Sequence, residues 1–188
     1  MDLFEKRLFL VRHGETELNK SHIIQGQIDS PLTELGLRQA QEAGEKAKGL
    51  NIDILISSDL GRARHTAEII SKASGIQIER VDSVFRERDF GKFEGISTAE
   101  LRKTYPQFVT DKDILILEHD FPTAESIKDF YNRIIKGIKG LMDEFKGKNI
   151  LLVGHKGVLN MVYTYAYDIP LDKVRTVYDP INCAIENY

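Results

Sequence analysis

Two histidines in this 188-residue chain follow apolar runs and stand among cations and glycines. Leu8–Val11 leads into Arg12-His13-Gly14, and Ile150–Val153 leads into Gly154-His155-Lys156-Gly157. A third apolar run, Ile52–Ile56, leads into Ser57-Ser58-Asp59 and a helical segment whose start carries Arg62. An imidazole or guanidinium placed straight after a buried-type strand is costly to fold around unless something uses it. If the three strand ends face one crevice, two imidazoles, two guanidiniums and helix N-termini meet there. That combination suits an oxyanion, most simply phosphate.

Paired histidines also suit a metal, but the surroundings argue against one. The chain has no HExxH, no cysteine pair and no close Asp-x-His spacing, and Arg12 and Lys156 would repel a divalent cation. The reading therefore assigns neither a metal nor a cofactor. His22 and His119 have no companions and receive no role; Arg64 and His65 read as surface or packing residues. The single cysteine, Cys183, reads as a small, partly buried hydrophobe.

Positioning these residues requires a particular fold class. The three apolar runs read as core strands, with a weaker one at Ile76–Val81. Between them, residues 32–50 form an amphipathic helix with Thr33 as N-cap and a stripe of Leu37, Ala40, Ala43, Gly44 and Ala47. A second helix carries Ala63, Ala67 and Ile70 and ends at Gly75. A third places Ile127, Phe130, Tyr131, Ile134, Ile138, Leu141 and Phe145 on one side, and residues 157–168 form an apolar, buried helix. Alternating strands and helices imply an α/β fold of three layers, a mostly parallel sheet with helices on both faces. Ligands bind such sheets outside the carboxyl ends of the strands. One domain over residues 1–188 is expected. Residues of about 105–123 fit neither period and form a candidate lid.

Composition bounds the partners. Apolar residues make up 41% and charged residues 29%, ordinary values for a globular protein. The formal net charge of −3 argues against a general nucleic-acid binder. The N-terminal stretch is neither a secretory signal nor a membrane span, so a cytoplasmic protein with no membrane partner is expected. Oligomeric state is not readable from the sequence.

"LVRHGETELN" resembles the signature of the histidine phosphatase superfamily, the phosphoglycerate mutase-like family. "QGQIDSPLTELGLRQA", "SSDLGRARHTAE", "FRERDFGKFEG" and "LLVGHKG" resemble that family's following segments, in the same order and spacing. The resemblance implies a phosphohistidine mechanism. In it His13 is the nucleophile; His155, Arg12, Arg62 and Asn19 bind the phosphoryl oxygens; Glu87 is the proton donor; and Gln25 and Gly26 line the substrate pocket. An imidazole nitrogen attacks phosphorus only if its proton is held on the other nitrogen. Arginine forks stabilise the charge on the transferring oxygens, and the leaving alkoxide needs a proton. The residues alone do not select Glu87. Arg86-Glu87-Arg88-Asp89 reads equally as a solvated charge run, and Glu15, Glu17 and Asp59 are rival acids.

Three departures from the family pattern bear on function. Phe93 stands where tryptophan is common, Lys156 where a small residue is common, and Thr123-Ala124 where two glycines often precede Glu-Ser. Lys156 either reaches the pocket or points to solvent, and the third departure should stiffen its segment. The mutases resembled here are longer between the acid motif and the second histidine. This chain's short candidate lid carries Asp111, Asp113, Glu118 and Asp120 against Lys112, which disfavours a bisphosphate primer; the chain also ends soon after Tyr178. The expected activity is therefore that of a histidine acid-type phosphatase, a phosphoric monoester hydrolase acting on a small phosphorylated metabolite. A phosphoglycerate mutase is the alternative, and a non-catalytic phosphate- or phosphoprotein-binding module the third reading.

Overall fold

The computed structural model describes residues 6–109, 120–174 and 179–188. Residues 110–119 of the candidate lid, with Asp111, Lys112, Asp113, Glu118 and His119, lie outside the described residues, as does Tyr178.

The strands are β1 (Leu8–Arg12), β2 (Ile54–Ser58), β3 (Ile78–Asp82), β4 (Ile150–Gly154) and β5 (Ile185–Asn187), in sheet order β3-β2-β4-β1-β5. The first four run parallel, and β5 lies antiparallel to β1. Two-sided burial explains the continuous apolar runs of β1, β2 and β4. Leu8, Leu10, Ile56, Ile150 and Leu152 face one core, under α5 (Ile127–Glu144) and α6 (Lys156–Ala166). Val11, Leu55, Leu151 and Val153 face the other, under α2 (Glu34–Ala47) and α3 (Gly61–Ser74). This is the expected α/β architecture, with helices on both faces.

The Thr33 hydroxyl accepts from Gly36 N–H and caps α2; Gly75 closes α3 at φ 82°. One detail of α2 differs from expectation. Gly36, not Leu37, joins Ala40, Ala43, Gly44 and Ala47 in the buried stripe, and Leu37 is 38% exposed. The reason is close approach. A Cβ at Gly36 would lie 2.1 Å from Glu15 O, so the helix can settle against that loop only through glycine, and Leu37 turns to the flank. The periodicity also missed β5, three residues long, and the short helices α1 (Glu17–Lys20) and α4 (Thr98–Thr104).

The described ends of the candidate lid pack on the segment that carries Glu87. Phe108 and Phe121 lie with ring centroids 4.6 Å apart in an apolar cluster with Phe90, Phe93, Ile24 and Leu101. Phe93 is 1% exposed and makes edge contacts with Tyr105, Phe108 and Phe121. Thr123 sits at φ 68°, left-handed backbone that a β-branched residue rarely adopts.

Candidate active site

The carboxyl ends of β1, β2 and β4 are adjacent in the sheet, so the residues after them converge on one cavity of about 380 Å³. Arg12, His13, Asn19, Gln25, Gly26, Arg62 and Glu87 all line it. His155 does not reach the cavity surface; it is fully buried behind, with its ring centroid 5.3 Å from that of His13.

His13 is 3% exposed. Its Nδ1 lies 2.8 Å from Gly14 O, a carbonyl that can only accept. The proton therefore sits on Nδ1, and Nε2 carries the lone pair. Arg62 Nε donates to that Nε2 at 3.3 Å. Burial first, then Arg62 and Arg12, push the His13 pKa well below its usual value, so the ring is neutral. His155 is pushed the same way, by burial and then by Arg62, His13 and Arg12. Its Nε2 lies 2.8 Å from Ser58 Oγ, while its Nδ1 is buried without a partner.

The two arginines are held by carbonyls as well as by charge. Arg62 donates to Gly26 O at 2.6 Å, to Ile28 O at 2.8 Å and to Asp29 Oδ1 at 3.3 Å. Arg12 donates from a terminal nitrogen to Pro180 O at 3.1 Å, and its Nε is buried without a partner. Burial pulls both guanidiniums below their ordinary value, with Glu87 the largest opposing influence. A buried cation, Arg62, beside a half-buried one, Arg12, is costly, and an anion arriving between them would relieve that cost. Asn19 Oδ1 accepts from Thr16 N–H, which leaves only its amide hydrogens to offer.

Glu87 accepts from Arg88 N–H at 2.8 Å and from Gly157 N–H at 3.0 Å, the latter in the first turn of α6. A Cβ at Gly157 would lie 2.1 Å from Glu87 Oε1, so any other residue there would displace the carboxylate. The rival acids are placed differently. Asp59 is gripped by Arg86 at 2.8 and 2.6 Å, which lowers its pKa, and it does not line the cavity; nor does Glu17. Glu15 does line it, but one carboxylate oxygen accepts from the Thr33 hydroxyl at 2.8 Å. The solvated-run reading of residues 86–89 is overturned. Arg88 is 1% exposed and bonds to Glu125 O and Asp120.

Lys156 lines the cavity, with its Nζ 2.5 Å from Asp179 Oδ1. His22, given no role from the sequence, lines it too, as do Thr98, Phe90 and Asn182. His22 and Thr98 come together because Thr98 N–H donates to His22 O across a short antiparallel ribbon. Asn182 donates to His13 O at 2.6 Å. Only tertiary pairing brings these residues to the site. Among the described residues, no group of three or more His, Cys, Asp or Glu side chains could hold a metal ion, and no helix is long and apolar enough to cross a membrane. Burial pushes the Cys183 thiol up to about 12, which makes it inert.

The two depressed histidines set an acid limit on stability. The folded state keeps both neutral, whereas the unfolded chain protonates them below about pH 6.5, so the unfolded state binds more protons and stability falls as pH falls. The pair therefore lowers the unfolding free energy as pH falls from about 7 to about 5.5. Urea unfolding at the two pH values measures this, and a flat profile contradicts it.

Fold and cavity together define an α/β protein whose sheet end gathers a neutral imidazole and two guanidiniums around one cavity, with a second neutral imidazole buried behind it. The chain belongs to the histidine phosphatase superfamily (branch 1), whose family model matches residues 8–186. It is 35% identical over 155 residues to "Uncharacterized phosphatase PhoE" of Bacillus subtilis (strain 168), covering 82% of this chain and 74% of the relative. It is 35% identical over 164 residues to "Probable phosphoglycerate mutase GpmB" of Citrobacter koseri, covering 87% and 76%. The structure of mycobacterial glucosyl-3-phosphoglycerate phosphatase complexed with VO3 superposes with TM-score 0.83 at 25% identity, covering 95% of this chain and 90% of that one. The membership supports an enzyme of the phosphatase/mutase kind.

Proposed function

We propose that the protein is a metal-independent phosphomonoesterase that cleaves a small phosphorylated metabolite through a phosphohistidine on His13. The observation that carries this reading is the His13 ring: neutral, with Nδ1 bonded to a carbonyl and Nε2 facing the cavity's arginine. Nε2 forms a bond to phosphorus as the ester P–O bond breaks. Arg62 Nε, which donates to the Nε2 lone pair, transfers its hydrogen bond to a phosphoryl oxygen. Arg12 Nε, buried and unpartnered, supplies a further donor, and the Asn19 amide another; His155 backs the His13 ring from behind the cavity. Glu87, acting in its acid form, gives its proton to the departing alkoxide. It then takes a proton from water as water attacks phosphorus, the P–N bond breaks, and inorganic phosphate leaves. Gln25 and Gly26 border the part of the cavity that takes the alcohol. On this reading the substrate is a soluble metabolite and the compartment the cytoplasm.

The protein is expected to turn over p-nitrophenyl phosphate at full rate in EDTA, because guanidiniums neutralise the phosphoryl oxygens in place of a cation. Loss of activity on chelation, restored by one divalent ion, would overturn this, and absence of turnover would favour the binding-module reading. The likeness to a probable phosphoglycerate mutase favours a second reading, in which another hydroxyl replaces water. Release of inorganic phosphate, measured against phosphoryl transfer to 3-phosphoglycerate, separates the two.

A further inference from the structure

Glu87 lies in an irregular segment between the short turns Ser83–Phe85 and Gly91–Phe93, so regular secondary structure does not hold it. Its carboxylate must nevertheless meet the departing oxygen. The backbone around it is gripped from α5. Arg133, a quarter exposed, donates to Val84 O at 2.7 Å and Arg86 O at 3.1 Å, and reaches Glu87 O at 3.5 Å. The same guanidinium is held by Glu125 through a two-bond fork, at 2.8 and 2.7 Å. Glu125 is 17% exposed at its side chain, and its own backbone clamps the other side of Glu87. Glu125 N–H donates to Asp89 O at 3.0 Å, and Glu125 O accepts from Arg88 at 2.8 Å. One ion pair thus fixes the chain before and after the acid. A guanidinium fork satisfies several carbonyls at fixed angles, which a lysine ammonium does not reproduce.

We propose that Glu125 and Arg133 form a positioning pair that holds the Glu87 carboxylate in register with the phosphoryl pocket. Neither lines the cavity, so both act through Glu87. The proposal rests on the reading of Glu87 as the proton donor. It has a signature that plain loss of stability lacks. A misplaced acid slows esters whose alcohol leaves as a basic alkoxide and spares those that leave unaided.

The test is single-turnover formation of phosphohistidine from an alkyl and an aryl phosphate, in Arg133→Ala, Arg133→Lys and the near-isosteric Glu125→Gln. A misplacement of about 1 Å costs on the order of 10²-fold, so a loss of that size is expected for the alkyl ester and little for the aryl ester. Added guanidinium ion should restore the alkyl rate in Arg133→Ala. In a Glu87→Gln background the same changes should add nothing. Equal slowing of both esters, or additive losses in that background, overturns the proposal while leaving Glu87 as the acid. If Glu87→Gln itself shows no preference between esters, the acid assignment is what fails. Should Arg133→Ala not fold, Glu125→Gln carries the same comparison.

Discussion

His13→Ala is expected to abolish turnover while the chain stays folded. The side chain supplies the lone pair that bonds to phosphorus, and no neighbour replaces it. The His155 ring centroid lies 5.3 Å from that of His13, but its Nε2 is engaged with Ser58 and its ring lies behind the cavity. Removing a covalent nucleophile from a hydrolase costs on the order of 10⁶-fold in kcat. The fold survives because the local structure depends on backbone groups. His13 N–H donates to Gly154 O at 3.0 Å, and Asn182 donates to His13 O. Reactions with labelled ester, quenched rapidly in alkaline denaturant, digested and analysed by mass spectrometry, should place an acid-labile phosphoryl group on His13 in the native protein and none in the variant. A label on His155 would reverse the roles.

Glu87→Gln should slow phosphohistidine formation from alkyl esters by about 10²–10⁴-fold, the usual cost of deleting a general acid. An alkoxide is strongly basic and needs the proton, whereas nitrophenolate leaves largely unaided. Glutamine keeps an oxygen that can accept from Gly157 N–H or Arg88 N–H but loses the transferable proton, so the loss reads proton transfer more than structure. For aryl esters the defect should appear in the later attack of water, where Glu87 serves as base. Single-turnover kinetics separate the two steps. Equal slowing of phosphoryl transfer from both esters would assign the proton to another group. Among the described residues Glu15 is the remaining carboxylate on the cavity wall, although the Thr33 hydroxyl occupies one of its oxygens.

Much of this site is legible in the sequence because the fold attaches it to local patterns. A buried parallel strand is a continuous apolar run, and the residue after it lies at the ligand end of the sheet. Arg12, His13, Arg62 and His155 could therefore be brought to one crevice from their neighbours alone, and the helices of both layers from their spacing. Short elements escaped this treatment. A three-residue edge strand such as Ile185–Asn187 offers too few residues to show a period.

The surroundings of the candidate carboxylates were a tertiary decision. Glu15, Glu17, Asp59 and Glu87 are equivalent side chains in the sequence, and what separates them is a partner far along the chain. Arg86 grips Asp59 from 27 residues away, and Gly157 N–H meets Glu87 from 70. The same holds for Arg88, a surface charge by composition but buried by its bonds to Asp120 and Glu125, and for Lys156, turned toward Asp179. His22 and Thr98 reach the cavity wall through a ribbon that no local propensity announces. Apolar periodicity reports which face of an element is buried, a property of a few successive residues. A polar side chain in the interior is defined by which donor or acceptor the folded chain brings within hydrogen-bonding distance, and that distance exists only after the layers have packed.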